Sequence, residues 1–346
     1  MIVVGRETFK KTITDPETIE KISKENQKLI NLFIKEKSRS CSEKTIVVYK
    51  SELNIFFCWN VLYNNNTYYP DIKKYELSDF FDFLVNELKI QGKRFSHYRS
   101  VLSSFSDVYI KFLDDERPTF KNIINTMIEP IPKDDIREKT ILDDEDVDKL
   151  FDIFKKEKRT QEACFLALAL YGGARIAELL QYKVNMIDEN RTAYGGVMLQ
   201  STEKLRTKGR GKQGKVMYKY IIKDLFLPYF KEWVKEREKK INELGVEDHG
   251  YLFLKADGGP ATEHVVRRWM DKWTDIIGKP CYAHMCRHYY VTMLMTKYKL
   301  NKDFVTSTVG WSSDLTGIYC DAEDSDMDWS DAVKLQQMLE EEEEKE

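Results

Sequence analysis

No apolar run in this 346-residue chain approaches the roughly 20 residues that a membrane-spanning helix needs; one of the longest is Cys164 to Leu170. The opening MIVVGRETFK has an apolar stub but neither a basic leader nor a cleavage site, so an intracellular, cytoplasmic protein is expected. Cysteine is sparse. The six residues Cys41, Cys58, Cys164, Cys281, Cys286 and Cys320 are scattered, which excludes a disulfide scaffold and suits reduced core thiols. Cys281, His284, Cys286 and His288 lie close enough together to raise a zinc reading, but the C-x-x-C spacing and a second ligand pair are missing. An overall excess of positive charge is missing too, since the formal net charge is −3.

What is present changes the meaning of that charge. From Asp314 to Glu346 thirteen acidic residues face two basic ones, a net of roughly −11, which leaves the rest of the chain at roughly +8. Between Ser201 and Tyr220 seven Lys or Arg stand against a single Glu. The average hides a basic body with an acidic tail, and a basic body suits a polyanionic partner. With 42% hydrophobic, 12% aromatic and 33% charged residues, the composition is that of a globular protein. Its length predicts two domains plus short appendages.

Residues Ile19 to Leu113 read as helices separated by polar breaks. Ser42 is placed to cap a helix carrying Ile46, Tyr49, Leu53, Phe56 and Phe57 on one face. Ser78 is assigned the same role for a helix with Phe80, Phe81, Leu84 and Leu88, and a third helix runs through Tyr98, Leu102, Phe105, Tyr109 and Phe112. Pro118, Pro130, Pro132 and the polar stretch from Lys133 to Lys139 mark a linker, so a boundary is placed near residue 133. Beyond it come a helix through Val147, Leu150, Phe151 and Phe154, then an apolar helix from Thr160 to Leu170 closed by Gly172-Gly173. Around Val197 to Gln200 and Val216 to Ile222 the pattern turns to strand, separated by the turn from Gly209 to Gly214, which predicts a hairpin with a basic tip. The fold class is mainly α with a small β-hairpin or sheet: a helical domain over 1–132, a mixed, helix-rich domain over 133–328, and a terminal helix with an acidic tail over 329–346.

Four short segments carry the chemistry. Arg175, in Gly172-Gly173-Ala174-Arg175-Ile176-Ala177-Glu178-Leu179, is placed at the first turn of a helix, where unsatisfied amides favour an anion. His284-Met285-Cys286-Arg287-His288 sets two donor groups one helical turn apart. Gly310-Trp311 breaks a helix, and Tyr319 follows in Ile318-Tyr319. In this order the segments resemble the active-site signature of the tyrosine recombinase (phage integrase) family: G-x-R-x-x-E-L, a lysine on a β-hairpin, H-x-x-R-H, then G-H or G-W followed by the tyrosine. Ser42 to Phe57 and Tyr98 to Phe112 resemble that family's helical core-binding domain, and Ile141-Leu142-Asp143-Asp144-Glu145 resembles the entry into its catalytic domain.

The resemblance implies a site-specific recombinase or integrase, nucleoid-associated, acting on specific sites in double-stranded DNA as a homotetramer, with both domains contacting the duplex. Tyr319 would attack a backbone phosphorus and become a 3′-phosphotyrosine. Arg175 and Arg287 would each fork onto the non-bridging oxygens, which lysine does not do in bidentate fashion. His284 would take the phenolic proton and return it. A hairpin lysine would protonate the departing 5′ oxygen; Lys208 in Arg206-Thr207-Lys208-Gly209 matches best, with Lys204 next, and contact with backbone phosphates is the other use for these cations. Trp311 stands where most relatives carry a second histidine; its indole N–H can donate to a phosphate oxygen but cannot shuttle a proton. The eight residues from Trp311 to Tyr319 are about one fewer than the family's interval. No cofactor and no metal are required. Basic candidates on the first domain are Lys44, Lys50, Lys93, Arg94 and Arg99, and the stripe Trp329, Ala332, Val333, Leu335, Met338 and Leu339 would dock either on a neighbouring subunit or on its own domain. Readings left open are a type IB topoisomerase, a silent DNA-binding protein on the same scaffold, and a zinc protein using Cys281, His284 and Cys286.

Overall fold

The computed structural model describes residues 13–126, 141–209, 214–310 and 335–339. The chain divides into two compact units, the first built from 13–126 and the second from 141 onward. Helices dominate both.

The first unit contains α1 (Pro16–Glu20), α2 (Lys24–Lys37), α3 (Glu43–Tyr63), α4 (Lys74–Asn86) and α5 (Gly92–Leu113). Ser42 caps α3 as its sequence predicts, its Oγ accepting from the Thr45 amide at 3.3 Å. Leu53, Phe56 and Phe57 of α3, Phe80, Phe81 and Leu84 of α4, and Tyr98, Leu102, Phe105 and Tyr109 of α5 close one core, while Phe112 stays exposed. Ser78 is not a cap. The helix begins four residues earlier, at Lys74, because Glu76 folds its carboxylate back onto the Lys73 amide at 2.7 Å and satisfies an otherwise orphaned donor. Asn26 and Asn60 are buried side chains that both donate to the Thr67 carbonyl, at 3.0 and 2.8 Å, tying the loop after α3 to two helices at once.

The second unit opens with α6 (Asp144–Lys156) and α7 (Thr160–Gly172), followed by the short α8 (Ile176–Leu179). Five short strands come next: β1 (Thr192–Ala193), β2 (Met198–Gln200), β3 (Leu205–Thr207), β4 (Lys215–Met217) and β5 (Tyr220–Ile222). The chain ends in α9 (Lys223–Leu244), α10 (Glu263–Ile277), α11 (Ala283–Thr292), a π turn at Met293–Lys297 and α12 (Lys302–Val309), with 335–339 also helical. Because α7 is apolar on every face, it is buried throughout Ala163 to Leu170.

The single hairpin expected here is two nested pairings. β3 pairs with β4 in register Leu205↔Met217, Arg206↔Val216 and Thr207↔Lys215. Outside them β2 pairs with β5, and β1 adds to β2. The alternation of strand side chains divides the outer sheet between two apolar clusters. Leu199 and Ile221 face a cluster built on α6, α7, α9 and α10, whereas Met198 and Ile222 face one built on α11 and α12. Helix α11 joins both, with Met285 and Cys286 in the first cluster and Tyr290 and Val291 in the second, and Arg287 falls between them. Leu335 and Leu339 are buried in the second cluster and Met338 packs against it, so this part of the stripe lies on its own unit, while Trp329, Ala332 and Val333 lie outside the described residues.

Gly173 fixes the turn after α7. It sits at φ +57°, and a methyl there would overlap the ring of Tyr290. Gly173→Ala combines overpacking with a left-handed backbone, so a loss of about 2–4 kcal/mol of stability is expected, read as a lower urea midpoint. An unchanged midpoint would mean that the α7–α11 contact yields at no cost.

Candidate active site

Arg175 is the residue immediately before α8, and the sequence expectation that open amides surround it needs correction. Its own backbone N–H donates to Glu178 Oε2 at 3.1 Å, so the carboxylate of this four-residue helix already occupies the anion position. The same carboxylate holds the side chain, with Arg175 Nη1 3.0 Å from Glu178 Oε1. Thr207, at the end of β3, donates its hydroxyl to Glu178 Oε1 and accepts from Arg175 Nη1 at 3.3 Å. Arg175 remains 27% exposed at the side chain. Its Nη2 and Nε make no hydrogen bond among the described residues.

Glu178 has a second cation. Lys219, in the connection between β4 and β5, places Nζ 2.8 Å from Glu178 Oε2, and both side chains are 1% exposed. Burial alone would push the Glu178 carboxyl up, but Lys219, the Thr207 hydroxyl and the Arg175 amide outweigh it and hold the group down at about 2. Lys219 is pushed the other way by burial and by the nearby Arg287 and Arg175, and drawn back by Glu178; the net direction is down. Removing one partner of such a buried pair costs about 3–5 kcal/mol, because the other charge is stranded.

Arg287 is 2% exposed. Its Nη1 donates to the Gly173 carbonyl at 2.8 Å and its Nη2 to the Val309 carbonyl at 3.3 Å. Those acceptors lie two residues before Arg175 and two before Trp311, so one guanidinium ties both segments to α11. Gly310 closes α12 at φ +72°, where a Cβ would overlap Met217 of β4 and lie 3.8 Å from Lys219 Nζ. The end of α12 therefore abuts the strand that leads into the lysine.

The remaining candidates fall as follows. His284 is exposed on α11, its ring edge-on to His288 at 4.8 Å between centroids. Lys208 is exposed directly after Thr207. Lys204 instead lays its ammonium over the Tyr218 ring, 5.4 Å from the centroid. Trp311 and Tyr319 lie outside the described residues, as does the hairpin tip 210–213. Cys286 is buried and burial pushes its thiol up to about 12; burial likewise pushes the Cys281 thiol up to about 11. The motif leaves out Thr207 and Lys219, and it includes Glu178 without giving it a role. Glu178 was visible three positions after Arg175, whereas nothing in the sequence separates Lys219 from the other six cations between residues 201 and 220.

Residues 140–325 match the model of the phage integrase family. The SPbeta prophage-derived recombinase-like protein YomM of Bacillus subtilis (strain 168) is 25% identical over 310 residues, 86% of each chain. The Tn1549 transposon integrase in complex with transposon right end DNA has the same fold, with a TM-score of 0.62 and 16% identity over 90% of this chain and 99% of that one. Lambda integrase, in a tetramer bound to a Holliday junction, aligns with a TM-score of 0.58 and 15% identity over 90% and 84%.

Proposed function

The chain belongs to the phage integrase family and is a tyrosine-type site-specific DNA recombinase; from that premise we propose that Tyr319 is its nucleophile and that Arg175 and Arg287 bind the scissile phosphate. The phenolic oxygen of Tyr319 forms a bond to phosphorus, the bond from phosphorus to the 5′ oxygen breaks, and a 3′-phosphotyrosine results. His284 accepts the phenolic proton, and Lys208 supplies a proton to the departing 5′ oxygen. Attack by the 5′ hydroxyl of another strand reverses the step, so the phosphodiester bond energy is conserved through the intermediate. Trp311 donates its indole N–H to a phosphate oxygen.

The observation that carries this reading is the Arg175 guanidinium, held through one nitrogen by Glu178 and Thr207 while its other two nitrogens make no hydrogen bond among the described residues and the side chain stays 27% exposed. Preorganised donors of this kind stabilise charge that develops in a transition state. The contrast between Lys204, engaged on Tyr218, and Lys208, next to Thr207, supports Lys208 as the acid. In the same reading 1–132 is the core-binding domain, contacting DNA through Lys44, Lys50, Lys93, Arg94 and Arg99. Residues 133–328 form the catalytic domain, and 329–346 the terminal helix and tail. Double-stranded DNA with specific recombination sites is the partner, and four protomers act together; the tetramer in which lambda integrase holds a Holliday junction supports that number.

The test works without a defined target sequence. The full chain is incubated with a pool of nicked duplexes of randomised sequence, denatured, and assayed for DNA that migrates with the protein. A covalent adduct enriched for one sequence is expected, because the nick lets the 5′ fragment diffuse away and traps the intermediate. Protein that binds duplex yet yields no adduct from any member of the pool would overturn the assignment.

A further inference from the structure

The buried ammonium of Lys219 belongs to none of the roles above, yet it sits at the meeting point of the site's segments. Its backbone is pinned from both sides: its N–H donates to Ser201 Oγ at 3.0 Å, and its carbonyl accepts from the Ser201 N–H at 2.9 Å. Its Nζ lies 2.8 Å from Glu178 Oε2, while the other oxygen of that carboxylate carries Arg175 and Thr207. The two oxygens of Glu178 thus divide their labour, Oε2 taking Lys219 and the Arg175 amide and Oε1 holding the arginine's guanidinium with Thr207.

We propose that Lys219 is a positioning residue of the recombination reaction: its ammonium fixes the Glu178 carboxylate in the orientation that aims the Arg175 guanidinium at the scissile phosphate. The proposal rests on the reading of Arg175 as a phosphate ligand. A salt bridge kept only for stability is a poor explanation, since a buried pair is often matched or exceeded by apolar residues of similar volume. An additional lysine beside two arginines also disfavours a binding-only role, because at 1% exposure it is shielded from a duplex. What the lysine supplies is a counter-charge that keeps Glu178 anionic against burial. The charged and titratable groups around the Glu178–Lys219 pair are Arg175 before α8 and Tyr182 beyond α8 beside the carboxylate and Arg287 on α11 near the ammonium, with the Thr207 hydroxyl on β3 as a neutral donor.

Without Lys219 the carboxyl of Glu178 titrates at higher pH, and its protonated form releases Arg175. The test is the rate of adduct formation by full-length Lys219→Met on the duplex enriched from the nicked pool, followed downward from about pH 8 to the lowest pH at which both proteins stay folded. The expected result is a rate at least about 30-fold below wild type, with duplex affinity within about threefold. The variant-to-wild-type rate ratio should fall further as the pH drops. A role confined to packing would give a ratio independent of pH. If melting shows that Lys219→Met is unfolded at the assay temperature, Lys219→Gln keeps a donor to Glu178 while removing the charge, and should show the same pH-dependent ratio. A folded variant with wild-type rate, or with a slowed but pH-independent ratio, would overturn the role of Lys219 and leave Arg175 and Tyr319 untouched. Absence of an adduct from wild type itself would instead remove the reaction on which the role depends.

Discussion

Tyr319→Phe is expected to bind the selected duplex with wild-type affinity and to form no covalent adduct, a loss of at least about 10⁴-fold in the rate of strand cleavage. The change deletes one oxygen atom. Duplex affinity comes chiefly from Lys and Arg contacts to phosphates, and the phenol is not among them. The chemistry, by contrast, has no substitute nucleophile. Tyr289 and Tyr290 are nearest to the H-x-x-R-H segment, but each is committed elsewhere. Tyr289 donates to Asp144 at the start of α6 at 2.7 Å, and burial with that carboxylate nearby pushes its phenol up. Tyr290 is fully buried against Gly173, and burial raises it as well. A phenolate is disfavoured at both. An adduct surviving in Tyr319→Phe would move the nucleophile to another residue.

Arg175→Lys is expected to lower the rate of adduct formation by about 10²–10³-fold while changing duplex affinity by less than about tenfold. Charge is conserved, so the size of the effect reports geometry. In the wild-type protein Glu178 and Thr207 engage Nη1, and Nη2 and Nε make no hydrogen bond among the described residues. A lysine has one nitrogen. Drawn to the buried Glu178 carboxylate, which already holds Lys219, it forms a second ammonium–carboxylate pair and presents nothing to the phosphate. A rate within about fivefold of wild type would show that charge alone suffices at this position and that the fork is not used.

Much of this arrangement was legible in the sequence because it rests on local rules. Ser42 announces the start of α3, and the spacing of Leu53, Phe56 and Phe57 marks its buried face. Gly172-Gly173 announces the end of α7. The order of the Arg175, His284-to-Arg287 and Gly310 segments carries the family resemblance that residues 140–325 bear out. Ser78 misled because serine is a good cap in general, whereas a Glu three residues after Lys73 offered its amide a closer partner. The strands misled in another way. Short β-like runs show strand character without saying which run pairs with which, and the pairing of Met198 with Ile222 is set by two apolar clusters assembled from distant helices.

Within the candidate site, sequence order points to the guanidiniums but not to their supports. Arg287 reaches Gly173 and Val309 carbonyls, 114 and 22 residues away in the chain, and no periodicity predicts such contacts. Lys219 reads as one more cation in a basic stretch. Its meaning comes from the fold alone, which buries it against Glu178 and leaves Lys208 at the surface.

The most direct measurement is to digest the trapped wild-type adduct with protease and nuclease and identify, by mass spectrometry, the peptide that retains a nucleotide. The peptide containing Tyr319, with the nucleotide joined through its phenolic oxygen and a 3′ phosphate, is the predicted result. A nucleotide carried on any other side chain, or attached through a 5′ phosphate, would contradict it.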